Sequence, residues 1–166
     1  MANKTTFKTV TFAGSPEFRV GNYKPRQRLE RLVAEGMKHF SSKDYFPEVI
    51  VGDKLNGHTH RVDGVIASEK HLISVRSQLV SGSTDDKLLT EIQSLQDACD
   101  MYGWEKATVV IDDPNNRMSW GRAYLTKNKF SKCHQRNRER YPNVEVVEFS
   151  DFAARYFDPN AKALAS

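Results

Sequence analysis

The stretch His60-Arg-Val-Asp-Gly-Val-Ile-Ala-Ser-Glu-Lys-His-Leu-Ile-Ser-Val-Arg-Ser-Gln78 decides how this chain folds. Val62, Val65 and Ile66 precede a tight Glu69-Lys70 turn, and Leu72, Ile73 and Val75 follow it. That pattern predicts two strands, His60 to Ser68 and His71 to Gln78, joined as a hairpin. Asp63 stands mid-strand with Gly64 beside it, and Ser74-Val75-Arg76 comes eleven residues after Asp63. A third β-type run, Glu48 to Gly52, is separated from the hairpin by the turn-forming Asp53-Lys54-Leu55-Asn56-Gly57, so the three strands read as an antiparallel meander.

Helices are expected on both sides of the meander. Upstream, Leu29, Leu32, Val33, Met37 and Phe40 recur at helical spacing from Arg26 onward, with charges on the other face and Pro25 suited to the start. Downstream, Ser81-Gly82-Ser83-Thr84 breaks the strand pattern, and Ser83 or Thr84 can cap. Asp85 and Asp86 favour a helix N-terminus, and Leu88, Ile92, Leu95 and Cys99 share a face to about Tyr102, where Gly103 stops the helix. A buried strand follows at Ala107 to Ile111, then a helix across a basic segment, a strand at Val144 to Phe149, and a short helix capped by Ser150 and ending at Phe157. Residues 1 to 25, with Gly14, Pro16, Gly21 and Pro25 and little periodicity, read as an irregular or short-stranded arm able to wrap a partner. The order α-β-β-β-α-β gives an α/β fold with a mixed central sheet flanked by helices.

A chain of 166 residues has room for one domain with a real core. We divide that domain into the arm (1–25), a core (26–111), a basic segment (112–142) and a terminal strand and helix (143–166). No run approaches the roughly 18 apolar residues of a membrane span, and no secretory leader pattern opens the sequence. An intracellular, cytoplasmic protein with no membrane partner is therefore expected. Cys99 and Cys133 have neither disulfide-framework nor zinc spacing.

The net charge of +4 is concentrated in one place. Between Arg117 and Arg140, the basic residues Arg117, Arg122, Lys127, Lys129, Lys132, Arg136, Arg138 and Arg140 face Glu139 alone, while the rest of the chain holds 17 basic and 20 acidic residues. Interleaved with Trp120, Tyr124, Phe130 and Tyr141, these cations are candidate contacts to the phosphates of double-stranded DNA. A solvated charged helix is the plain alternative.

Phosphodiester hydrolysis needs a carboxylate to hold a divalent cation, a further ligand, and a positive group near the attacking water. Asp63 followed by Ser74-x-Arg76 resembles the PD-(D/E)XK signature of the restriction-endonuclease-like nucleases in its Ser-x-Lys form. In that form the second carboxylate comes from the next helix, where Glu91 stands fifteen residues beyond Arg76. The turn from Gln78 through Ser81-Gly82-Ser83-Thr84 resembles the strand-to-helix turn of some members, and Glu30 matches an accessory glutamate on the first helix.

The resemblance covers about residues 26 to 111. It implies a PD-(D/E)XK core and a catalytic set of Asp63, Arg76, Glu91, Glu30, Ser74 and Gln78. Asp63, Glu91 and Glu30 would hold Mg²⁺, with Mn²⁺ as a substitute. It also implies a homodimer or homotetramer that cuts both strands, of homing or restriction type. Asp63-Gly64 also reads as a turn, Glu91 as a solvated helix residue, and Glu30 as a partner in a helix salt bridge. His58 and His60 alternate and lack a third ligand.

Arg76 departs from the family lysine. Arginine stays protonated, so it orients water or phosphate but is a poor proton acceptor. Either an arginine site still cuts, or Lys70 or Lys87 fills the role, or activity is lowered. Two rivals remain: a non-catalytic DNA-binding protein on the nuclease fold, and a structure-selective junction or repair nuclease.

Overall fold

The computed structural model describes residues 8–10, 18–20, 28–77, 84–112, 125–126 and 131–158. Its elements are β1 (Lys8–Val10), β2 (Phe18–Val20), α1 (Arg28–Phe40), β3 (Tyr45–Asp53), β4 (Thr59–Ile66), β5 (His71–Ser77), α2 (Thr84–Tyr102), β6 (Lys106–Asp112), α3 (Lys132–Arg140), β7 (Val144–Glu148) and α4 (Phe149–Tyr156). All seven strands form one sheet in sequence order. β1 to β5 are antiparallel, and β5, β6 and β7 run parallel. The fold is thus α/β with a mixed sheet. Parallel pairing needs a long crossover, which α2 supplies between β5 and β6.

Alternation along the strands sorts the core into two layers. Ala107, Val109 and Ile111 of β6 pack with Leu88, Ile92 and Leu95 of α2 on one face. Val110, with Ile73 and Val75 of β5, packs with Leu29, Val33 and Met37 of α1 and with Phe152 of α4 on the other. Period-2 side-chain direction turns a continuous apolar run into a strand buried on both faces. No helix among the described residues is long and apolar enough to cross a membrane.

Several boundaries differ from the sequence reading. The described part of the arm is not free: β1 and β2 form a hairpin, and Arg19 and Val20 pair with Ile50 and Val49. Leu32 and Phe40 flank the α1 stripe rather than fill it, at 44% and 42% exposure. The third strand starts three residues earlier, at Tyr45, because Pro47 and Glu48 are carried inside it. Ser150 does not cap α4. The helix starts at Phe149 with Glu148 at the cap position and no side-chain cap bond, which leaves Ser150 in the first turn. Helix across the basic segment is seen at α3, where Ser131 Oγ accepts from the His134 N–H.

Gly64 settles the turn reading of Asp63-Gly64. The two residues lie within β4, and Gly64 is not among the positive-φ residues. Gly64 is there for space: a Cβ would stand 2.1 Å from Cζ and the hydroxyl oxygen of Tyr45. Gly64→Ala should therefore cost about 1–3 kcal/mol by overpacking. Urea unfolding checks this, and an unchanged midpoint would mean that Tyr45 swings away freely.

A second buried polar feature ties β5, β6, β7 and α4 together. His71, fully buried, shares a 2.6 Å hydrogen bond between Nε2 and Thr108 Oγ1, and Thr108 Oγ1 donates to Glu145 Oε1 at 2.8 Å. Arg155 pairs with the same carboxylate. Burial, then the Lys106 charge, lowers His71 from 6.5 to about 4, so the unfolded chain binds this proton more tightly. Stability from the neutral imidazole is full above about pH 6.5 and is lost as pH falls toward 4, by up to about 3 kcal/mol. Between pH 7 and 5 the stability of the wild type, measured by denaturation, should fall relative to that of His71→Gln. Equal slopes in the two proteins would remove His71 as the cause.

Candidate functional site

β4 and β5 pair at only three positions, Gly64 with Ile73, Val65 with Leu72 and Ile66 with His71. Past Ile73 the Asp63 side chain takes over from the ladder: its Oδ2 accepts the Val75 N–H at 2.6 Å. This opens a cleft of about 230 Å³ lined by Glu30, Glu48, Arg61, Asp63, Ser74, Arg76 and Glu91. The meander supplies its floor, α1 brings Glu30, and α2 brings Glu91.

Four carboxyl groups in one cleft disturb each other. Burial, then the charge of Asp63, pushes Glu30 up to about 8. Burial raises Asp63 to about 6, against the Val75 N–H bond and the Arg76 charge, which lower it. The charge of Asp63 beside it helps to hold the proton on Glu30. Such a pair is what a divalent cation relieves, by replacing the proton with a charge that both groups favour.

Glu91 is built differently. Its Oε1 accepts from Ser74 Oγ at 2.8 Å and its Oε2 from Arg76 Nη2 at 2.9 Å, and its side chain is 8% exposed. Both oxygens are engaged, so in this arrangement Glu91 anchors Arg76. Among the described residues no group of three or more His, Cys, Asp or Glu is placed to enclose a metal. The three acids expected to hold Mg²⁺ share the cleft without converging on one point. The donor chemistry nevertheless fits, because Mg²⁺ is commonly held by one or two carboxylates, with water and phosphate completing its shell. Asp63 and Glu30 supply those hard oxygens.

The open question of which cation serves the site narrows. Lys87 is exposed on α2, and Lys70 sits at the β4–β5 turn with Nζ 3.9 Å from Glu105; neither lines the cleft. Arg76 does, its Nε buried and without a hydrogen-bond partner among the described residues. His58 and His60 do not act as a pair. His58 is in the β3–β4 turn, its backbone N–H on Asn56 Oδ1, whereas His60 is buried, its Nε2 without a partner among the described residues, and burial lowers its pKa.

Two cleft residues, Glu48 and Arg61, escaped the sequence reading. Pro47 pairs with Gly64 and Val49 with Val62, which sets Glu48 across from Asp63. Its φ of 53° is a left-handed conformation in a buried residue, costing about 1–3 kcal/mol of the kind concentrated at functional sites. A charged residue after proline inside an apolar run was the available signal. Arg61 precedes Asp63 by two residues and so shares its strand face.

Gln78, Arg117, Arg122, Lys127 and Lys129 lie outside the described residues. Lys132, Arg136, Arg138 and Arg140 are carried on α3, and Arg138 Nη1 reaches Pro142 O at 3.5 Å. Compared with family models, with curated proteins and with solved structures, the chain matches none.

Proposed function

We propose that the chain is a Mg²⁺-dependent endodeoxyribonuclease of the PD-(D/E)XK kind that hydrolyses phosphodiester bonds of double-stranded DNA. The observation that carries this reading is the cleft itself. A mid-strand aspartate and a helix glutamate, both with raised pKa values, line it beside an arginine that Glu91 fixes at one end. Asp63 and Glu30 would hold the cation, which when bound supplies Lewis-acid polarisation and a more acidic water. Arg76, tethered through Nη2 to Glu91, donates from the exposed part of its guanidinium to the scissile phosphate. Ser74 keeps Glu91, and through it Arg76, in place. One active site per chain cuts one strand, so double-strand cleavage calls for a homodimer or homotetramer.

A plasmid-nicking assay tests the proposal. Mg²⁺ or Mn²⁺ should give nicked and linear products and EDTA none; intact plasmid under all conditions would overturn it. One observation favours a second reading, duplex binding without cleavage: both Glu91 oxygens are occupied. Retained binding without cutting would establish that alternative.

DNA affinity should depend on the basic segment in either case. Replacing Lys127, Lys129 and Lys132 by alanine should flatten the plot of log K against log salt by about 0.9 for each lysine that neutralises a phosphate. An unchanged slope would place the duplex on another surface.

A further inference from the structure

A second cleft lies on the other side of α2. It has a volume of about 310 Å³ and is lined by Leu89, Arg136, Asn137, Arg140 and Tyr141. Arg136 and Arg140 are four residues apart on α3, so their like charges face one another, an arrangement that costs a few tenths of a kcal/mol unless an anion sits between them. Neither makes an ion pair with the described carboxylates. The apolar side of the cleft is Leu89, 44% exposed. Tyr141 is mounted firmly, partly buried against the core.

Asn137 closes the floor of the cleft: it is 3% exposed, its Nδ2 donates to Val144 O at 3.4 Å, and its buried Oδ1 has no hydrogen-bond partner among the described residues.

We infer that this cleft binds a nucleotide, with the 5′-phosphate between Arg136 and Arg140 and the base against Tyr141 and Leu89. Arginine pairs suit phosphate, and an aromatic with an apolar wall accepts any base through its π-face. Leu89 and Glu91 are two residues apart on α2, so the helix, roughly 10 Å across, forms the wall between this cleft and the carboxylate cleft. The nucleotide site requires no metal and no cleavage, so it stands apart from the nuclease reading.

The test is calorimetric titration of the whole chain in EDTA with deoxynucleoside 5′-monophosphates, deoxyribose 5-phosphate and inorganic phosphate. Nucleotides should bind at least about tenfold more tightly than the base-free sugar phosphate, because stacking on an aromatic is worth about 1–3 kcal/mol per base. Arg136→Gln with Arg140→Gln, both at exposed positions, should weaken nucleotide and phosphate alike by about tenfold or more. Tyr141→Leu should bring the nucleotide down to the level of the sugar phosphate, and Tyr141→Phe, which keeps the ring and the packing, should not. Equal affinity for nucleotide and inorganic phosphate would reduce the site to an anion patch and overturn the proposal. No saturable binding at millimolar nucleotide, or binding unaffected by the arginine pair, would overturn it too. The source of the ligand is read with 2-aminopurine oligonucleotides. A fluorescence rise in duplex marks an extruded base, a rise in single strand alone marks a free end, and no rise beside retained monophosphate binding marks a free nucleotide.

Discussion

Asp63→Asn should abolish metal-dependent cleavage, by roughly a thousandfold or about 4 kcal/mol of barrier, in a protein that is folded and, in alkaline solution, more stable than the wild type. The substituted amide keeps an oxygen for the Val75 N–H and gains an N–H that can donate to Glu30, so the local geometry survives. What disappears is a charge. In the wild type both carboxyl groups titrate above their ordinary values, Asp63 near 6 and Glu30 near 8. A raised folded value means that stability is fully present at acid pH and is lost as pH rises through those values. The variant lacks one titrating group and, for the other, its nearest negative neighbour, so its stability should fall less between pH 6 and 9. Mg²⁺ should raise the melting temperature of the wild type most at the alkaline end, and that of the variant little. Wild-type cleavage by Asp63→Asn would remove Asp63 from the site. Loss of cleavage together with loss of fold would make Asp63 a scaffold residue.

The second large effect belongs to Arg76 and Glu91 as a unit. Arg76→Ala leaves a buried carboxylate without its cation, and Glu91→Ala leaves the arginine without its tether. Breaking a fully buried pair costs about 3–5 kcal/mol, but the Arg76 side chain is 35% exposed, so about 2 kcal/mol of stability is expected from either change. Cleavage should fall about a hundredfold or more in each, as for the loss of one positioned donor to a developing charge. The double variant should be no worse than the poorer single one, since both remove the same placed guanidinium. Additive losses would mean that Glu91 has a separate task, such as holding metal after turning away from Ser74. Arg76→Lys tests the departure from the lysine of the nucleases that the sequence resembles. A single ammonium cannot hold Glu91 and phosphate through separate planar donors, so cleavage should drop by about tenfold; a rise would show that arginine is a handicap here.

The meander, the two long helices and the juxtaposition of Asp63 with Ser74 and Arg76 were legible from local patterning plus one tight turn, whereas Glu91 and Glu30 were placed beside them by the family resemblance alone. Glu48 was not legible. Its place depends on a left-handed backbone angle and on register with β4, and neither leaves a trace in residue type beyond the preceding proline. Nor could spacing reveal that both oxygens of Glu91 are committed, since a helix position fixes a face but not a hydrogen-bond partner. Leu32 and Phe40 show the converse. Helical periodicity places them in the stripe, yet only the inner line of Leu29, Val33 and Met37 meets the sheet. The β1–β2 hairpin was hidden because three-residue strands carry almost no periodicity.

β5 meets β4 across a short turn, but meets β6 only after the chain has passed through all of α2. Contacts between near neighbours in sequence form early in folding, and parallel pairings across a long crossover must first meet the entropy of closing that loop. These separations predict that the cleft assembles in two stages, an order that hydrogen exchange during refolding checks. Asp63 and the Val75 amide come together with the meander, while Glu91 arrives to restrain Arg76 only when α2 docks and the β5–β6 seam closes. A chain slowed at that seam would hold a formed hairpin with half a site.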